Sequence, residues 1–147
     1  MKKYINLFSK IIDEDNFRNA YINAITGKRH YKEVIEIEKN RDEYLKNLRQ
    51  EVINETYEVS DYEIFERYSG GKLRTISKLP MRDRIVQHAI MRIIEPLFRE
   101  TFILDTYSSI KGRGMHNALK RVKKAINTDK QLYYLKLDIK KCYPSLD

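Results

Sequence analysis

The sequence predicts an α+β fold: a helical N-terminal section, a β-hairpin with helices packed beside it, and one further strand near the C-terminal end. Three observations carry this reading. Apolar residues recur at helical spacing over residues 16–25, 31–54, 81–98 and 115–126. Two short alternating runs flank Gly70-Gly71. A third alternating run occupies residues 132–139.

The first helix, residues 16–25, is closed by Thr26-Gly27. Residues 31–54 read as one long charged helix with Val34, Ile37, Tyr44, Leu45, Leu48 and Val52 roughly on one face. Over residues 62–68, Tyr62, Ile64, Glu66 and Tyr68 alternate with Glu63, Phe65 and Arg67, a strand pattern rich in aromatics. Ser69-Gly70-Gly71 turns the chain into a second strand, residues 72–78, on which Lys72, Arg74 and Ile76 share a face. Pro80 ends that strand and opens the helix over residues 81–98, whose buried stripe is Ile85, Ala89, Ile90, Ile93 and Leu97. Arg82, Arg84, Arg92 and Arg99 are its cationic positions, and Pro96 is expected to stop or kink it. An irregular link leads through Gly112-Arg113-Gly114 into the helix over residues 115–126. There Met115, Leu119, Val122 and Ile126 form the stripe, and Lys120, Arg121, Lys123 and Lys124 face elsewhere. On the last strand Tyr133, Leu135, Leu137 and Ile139 take the face expected to be buried, and Tyr134, Lys136 and Asp138 take the other.

A chain of 147 residues suffices for one modest domain with a core. It contains no apolar run long enough to cross a bilayer, and Ser9-Lys10 breaks the short N-terminal apolar run too early for a signal peptide. The single cysteine, Cys142, excludes an internal disulfide and a cysteine-rich zinc site, and fits a reducing cytoplasm. The net charge of +8 is unevenly spread: residues 1–66 hold 11 Lys and Arg against 14 Asp and Glu, whereas residues 67–147 hold 18 against 7. The second part would therefore draw a polyanion, and so lopsided a charge favours nucleic acid over a merely solvated basic surface.

Asp138 is the residue around which chemistry could gather. A carboxylate at a strand end suits a hard divalent cation such as Mg²⁺, which shares carboxylate and phosphate oxygens. Taken alone, it reads more readily as the cap of the following turn than as a metal ligand. Its surroundings add more. Tyr134-Leu135-Lys136-Leu137-Asp138, the turn after it, Tyr143 five residues on, and Pro144-Ser145-Leu146-Asp147 resemble the first catalytic palm motif of reverse transcriptases, above all the bacterial kinds. Lys72-Leu73-Arg74-Thr75-Ile76 followed by Pro80-Met81-Arg82-Asp83-Arg84-Ile85-Val86-Gln87 resembles the fingers motif of that family. Between them, the segment from Tyr107 to Leu119, with Lys111-Gly112-Arg113-Gly114 and His116-Asn117-Ala118, resembles a third family segment. The order and spacing match over roughly residues 60–147, and the look is closest to diversity-generating retroelement and group II intron-like enzymes.

The resemblance implies an N-terminal helical region over residues 1–60, fingers over 61–130, and the start of a palm over 131–147, with the first palm strand present and the palm remainder and thumb absent. It implies an RNA-directed DNA polymerase, a nucleotidyltransferase working by two-metal catalysis with Mg²⁺, an RNA template and primer, and deoxynucleoside triphosphates. Asp138 would be the catalytic carboxylate and metal ligand, and the carbonyl of Ile139 a second ligand. Lys141 and Cys142 would offer backbone amides to the triphosphate, and Tyr143 would act as the sugar gate against a ribose hydroxyl. Lys72 and Arg74 would reach the triphosphate from the hairpin. Lys111 and Arg113 would lie near the template, or belong to a plain helix-opening turn. Arg82 and Arg84 would contact template backbone, or pair with Asp83 and nearby acids.

The aromatic-x-Asp-Asp element that completes such a metal site does not occur in these 147 residues, and the end at Asp147 in mid-motif reads as a truncated chain or gene. Two alternatives stand beside the polymerase reading: an RNA-binding module of reverse-transcriptase-like fold without catalysis, and a structural, regulatory or phage-defence relative. Lacking sheet neighbours, residues 132–139 are expected to pair with another chain, giving a homo-oligomer. The 147-residue chain alone is expected to extend no primer with Mg²⁺ and deoxynucleotides, and clear extension in a primer-extension assay would overturn this.

Overall fold

The computed structural model describes residues 4–127 and 132–140. The fold is α+β, built of helices and one two-stranded antiparallel hairpin. Its contacts divide the chain into two compact units, Met1–Thr101 and Phe102–Asp147. That division falls within the segment expected as fingers, residues 61–130. The hairpin belongs with the N-terminal helices because the helix that follows it packs into their core.

The first unit contains α1 (Leu7–Ile11), α2 (Glu14–Ile25), α3 (Lys32–Lys39), α4 (Arg41–Ile53), β1 (Glu63–Ser69), β2 (Lys72–Lys78) and α5 (Met81–Thr101). Asp13 opens α2 by accepting a hydrogen bond from the Asn16 amide at 3.0 Å, and Glu14 and Asp15 place negative charge at the positive end of the helix dipole. The buried face of α2 is Phe17, Ala20, Tyr21 and Ala24, at helical spacing. It lies against α5, whose Ile85, Val86 and Ala89 are buried in turn. Three fully buried alanines, Ala20, Ala24 and Ala89, allow the two backbones to approach closely. Val34 and Ile37 from α3 and Leu45 and Leu48 from α4 complete the core.

One buried polar side chain ties this packing together. Asn16 Nδ2 donates to the Ile11 carbonyl at 2.9 Å and the Ala89 carbonyl at 3.0 Å, while its Oδ1 accepts from Arg92 Nε at 3.0 Å. The end of α1, the start of α2 and the middle of α5 thus share one fully bonded amide.

The structure corrects the expectation of a single helix over residues 31–54. Asn40, with φ −139° and ψ 47°, separates α3 from α4. The apolar stripe is interrupted there: Glu38 and Arg41 stand where apolar residues would continue it, and both are exposed. Asparagine competes for its own backbone and is a poor helix former, so the gap is where the helix gives way. Pro96, by contrast, does not stop α5, which continues to Thr101.

In the hairpin Gly70 and Gly71 have φ of 60° and 74°, as a two-residue type I′ turn requires. The register pairs Ser69 with Lys72, Arg67 with Arg74, Phe65 with Ile76 and Glu63 with Lys78. A lone hairpin is marginally stable in water, so its base must be held. Lys78 Nζ donates to Glu33 Oε1 at 2.8 Å and to Glu63 Oε2 at 2.7 Å. The other oxygen of Glu33 accepts the Met81 amide at 2.7 Å, one of the unpaired N–H groups at the start of α5. Leu79 and Met81 are buried just past the strand.

The second unit contains α6 (Met115–Ile126), preceded by an irregular segment. Arg121 donates to both carboxylate oxygens of Asp105, and Tyr107 donates to the same group at 2.9 Å. Arg113 Nη1 donates to the Ile103 carbonyl at 3.2 Å, and Asn117 Nδ2 to the Gly112 carbonyl at 2.7 Å, closing the segment onto the start of α6. None of the α6 residues is buried. The expected strand over residues 132–139 is not formed, and the face expected to be buried is open: Leu135 and Leu137 are each 81% exposed. A strand exists only through a ladder with a neighbour, and among the described residues β1 and β2 are the strands, paired with each other.

Replacing Asn16 by Ala leaves two carbonyls and the Arg92 Nε–H without their partner. The expected loss is about 2–3 kcal/mol of unfolding free energy, measurable from urea midpoints.

Candidate nucleotide and nucleic-acid interface

The register of the hairpin decides what its exposed face carries. Directly paired residues project to the same side, so Arg67 from β1 joins Lys72 and Arg74 from β2 near the turn. Arg67 and Arg74 are directly opposed. Like charges in such a pair repel, and among the described residues none of the three forms an ion pair with a carboxylate. Further down the same face come Phe65 with Ile76, then the Glu63–Lys78 pair at the base. The sequence reading identified Lys72 and Arg74 but missed Arg67. The signal was available: a two-residue Gly-Gly turn fixes the register, and the register places Arg67 opposite Arg74.

The residues at the start of α5 are engaged differently. Arg82 forms an ion pair with Glu51, and its guanidinium carbon lies 5.0 Å from the centre of the Tyr57 ring. Arg84 Nε donates to the Leu79 carbonyl at 3.0 Å. Asp83 is almost wholly buried and accepts from the Tyr57 hydroxyl and from the Ser60 amide, the latter at 3.3 Å, while its Oδ2 has no partner among the described residues. Burial pushes this carboxyl upward, but the bonds from Tyr57 and Ser60 and the neighbouring Arg82 charge outweigh it and hold the pKa below the usual aspartate range. Burial and the bond to Asp83 together raise the Tyr57 hydroxyl well above its ordinary value. Asp83, Tyr57, Arg82 and Glu51 therefore brace the chain between α4 and α5.

In the second unit Lys111 is exposed, and Arg113 is spent on the carbonyls of Ile103 and Leu104. Asp138 and Ile139 are exposed on chain with no regular structure. Among the described residues no group of three or more His, Cys, Asp and Glu side chains converges as a cation site. One exposed carboxylate does not by itself meet the ligand needs of Mg²⁺, so the described residues do not make up that site. Lys141, Cys142 and Tyr143, expected at the triphosphate, lie outside the described residues. No helix of the described residues is long and apolar enough to cross a membrane.

Burial and the bonds to Lys78 and the Met81 amide act on Glu33 as they do on Asp83, leaving its pKa lowered. Two depressed carboxyls stabilise the folded state above their unfolded pKa values, and that stabilisation is lost as pH falls through the folded values. Stability to urea is therefore expected to fall between about pH 5 and about pH 3. The Asp83→Asn variant is expected to start lower at neutral pH and to lose less over that range. An equal acid loss in parent and variant would show that Asp83 is not responsible.

No family model matches the chain. It is 32% identical over 80 residues to protein YkfC of Escherichia coli K12, across 54% of this chain and 21% of that protein. It is 31% identical over 81 residues to nuclear intron maturase 2, mitochondrial, of Arabidopsis thaliana, across 54% of this chain and 11% of that protein. The matches thus span about a fifth and about a tenth of these curated relatives. The maturase match supports a distant relationship of the reverse-transcriptase kind.

Proposed function

We propose that this chain is the N-terminal part of an RNA-templated DNA polymerase, and that the exposed hairpin face grips the triphosphate of an incoming deoxynucleotide. The observation that supports this is the placement of Arg67, Lys72 and Arg74 together on one face with no carboxylate of the described residues paired to them. Folding gains nothing from three like charges at a hairpin tip. A polyphosphate between them would turn mutual repulsion into charge-assisted bonding, most strongly as negative charge builds on a departing pyrophosphate. The order of the basic strand, the Pro80 to Gln87 segment and Asp138 along the sequence supports the polymerase assignment. In this reading Asp138 supplies one of several carboxylates to Mg²⁺ in the complete polymerase, and RNA template and primer are its partners.

A second reading, an RNA-binding module without catalysis, is favoured by the charge beyond residue 66, where 18 Lys and Arg face 7 Asp and Glu. That excess is more than a triphosphate needs.

The two readings separate on the ligand the hairpin prefers. Fluorescent deoxynucleoside triphosphate binding in Mg²⁺ is expected to weaken roughly tenfold in Lys72→Ala/Arg74→Ala, and by a similar factor in Arg67→Ala. Triphosphate affinity unchanged in both, with RNA affinity lost, would give the hairpin to RNA and overturn the polymerase assignment of this face.

A further inference from the structure

A cleft of about 400 Å³ opens in the first unit between α2 and α3. That volume falls in the range of sites for small organic ligands. Its floor is apolar. Ile25 and Val34 are buried beneath it, while Ile22, facing the same space, is 48% exposed. Tyr21 is buried beside them, and its hydroxyl donates to Glu38 Oε1 at 2.7 Å. Folding of the first unit thus leaves Ile22 uncovered over a well-packed base.

Three guanidinium groups stand in the walls of this cleft against the one carboxylate of Glu38. Their engagements differ. Arg18 Nη2 is paired with Glu14 at 3.3 Å, across one turn of α2. Arg41 is held by Asp42 through Nε at 3.1 Å, and its Nη1 lies 3.8 Å from Glu38. Glu38 is therefore shared between Tyr21 and Arg41. Arg29, in the turn that joins α2 to α3, forms no ion pair among the described residues. A basic residue just past a helix commonly meets the last carbonyls. Here Lys28 has that task, with Nζ 3.4 Å from the Ala24 carbonyl, so Arg29 is not needed for it.

An apolar floor with one unclaimed guanidinium at its edge suits an amphipathic anion. An apolar body would cover Ile22, and a carboxylate would meet the planar fork of Arg29 with both oxygens. A phosphate monoester suits it less, because its second charge would face Glu38 in the same wall. A nucleic-acid backbone finds no second unclaimed cation in the cleft, since Arg18 and Arg41 are both engaged. We propose that this cleft binds a small monocarboxylic acid with a branched or aromatic apolar body, the carboxylate held by Arg29 and the body laid over Ile22, Ile25 and Val34. None of these residues belongs to the hairpin, so the site stands or falls separately from the triphosphate reading.

Ligand-observed NMR with the 147-residue chain and phenylacetate tests it. Phenylacetate is expected to bind about tenfold more tightly than phenylacetamide, which has the same body without the charge. Arg29→Gln is expected to weaken phenylacetate binding about tenfold and to leave phenylacetamide unchanged, a difference that a general loss of structure would not produce. Ile22→Ala is expected to weaken both about threefold. Both side chains are exposed, so neither replacement opens the core, and unchanged urea midpoints check this. Lys72→Ala/Arg74→Ala is expected to keep the full phenylacetate affinity. The proposal is overturned by absence of saturable binding, by equal affinity for acid and amide, by an unchanged Arg29→Gln variant, or by loss of binding in the hairpin variant. Tighter binding of phenyl phosphate would give the cleft to a phosphate ester, and tighter binding of N-acetylglycylphenylalanine would give it to the end of a protein chain. Either result overturns the small-acid assignment.

Discussion

The carboxylate of Glu33 is the joint on which the exposed half of the first unit hangs. One oxygen holds the ammonium of Lys78 at the foot of the hairpin, and the other caps the backbone amide of Met81 at the head of α5. Strand and helix meet at Pro80, between the buried Leu79 and Met81. A two-stranded ribbon has no sheet behind it, so orientation must come from its base. Glu33 provides that from α3, which is anchored in the core by Val34 and Ile37. The same core, through Asn16, fixes Arg92 on α5. Internal packing thus decides where the outward-facing cations stand.

The charges sort into two populations. Acidic groups of the first unit that face inward are consumed: Glu33 by Lys78, Glu51 by Arg82, Asp83 by Tyr57 and Ser60. Among the cations without a carboxylate partner in the described residues, Arg67, Lys72 and Arg74 gather at the hairpin tip, and Arg84 and Arg92 lie along α5. Each cluster carries a repulsion that a folded chain would be more stable without, and such a cost is tolerated where an anion relieves it.

Much of this was legible in the sequence, because local rules governed it. The Gly-Gly pair announced the hairpin, the alternation of Lys72, Arg74 and Ile76 gave their common face, and helix spacing located Ile85 and Ala89 in the core. What escaped was set at longer range. The break at Asn40 was hidden because the residues on either side keep the same helical phase, and only the interruption at Glu38 and Arg41 marks it. Residues 132–139 have strand composition, yet a strand is a property of a pair, and alternation says nothing about whether a neighbour is present. Pairing with an acid was one of the two readings of Arg82, but its partner Glu51, like the Ile103 carbonyl that meets Arg113, comes into reach only in the fold.

The Gly70-Gly71 tip lies at the end of a ribbon seven residues long on each side. At the usual rise per residue that is a lever of about 23 Å, so a rotation of about 5° at the Glu33–Lys78 pivot carries the tip through about 2 Å. The hydrogen-bonded ladder keeps the ribbon stiff while the pivot consists of side chains. Small adjustments there are therefore magnified at Arg67, Lys72 and Arg74, which move together as a single charged head.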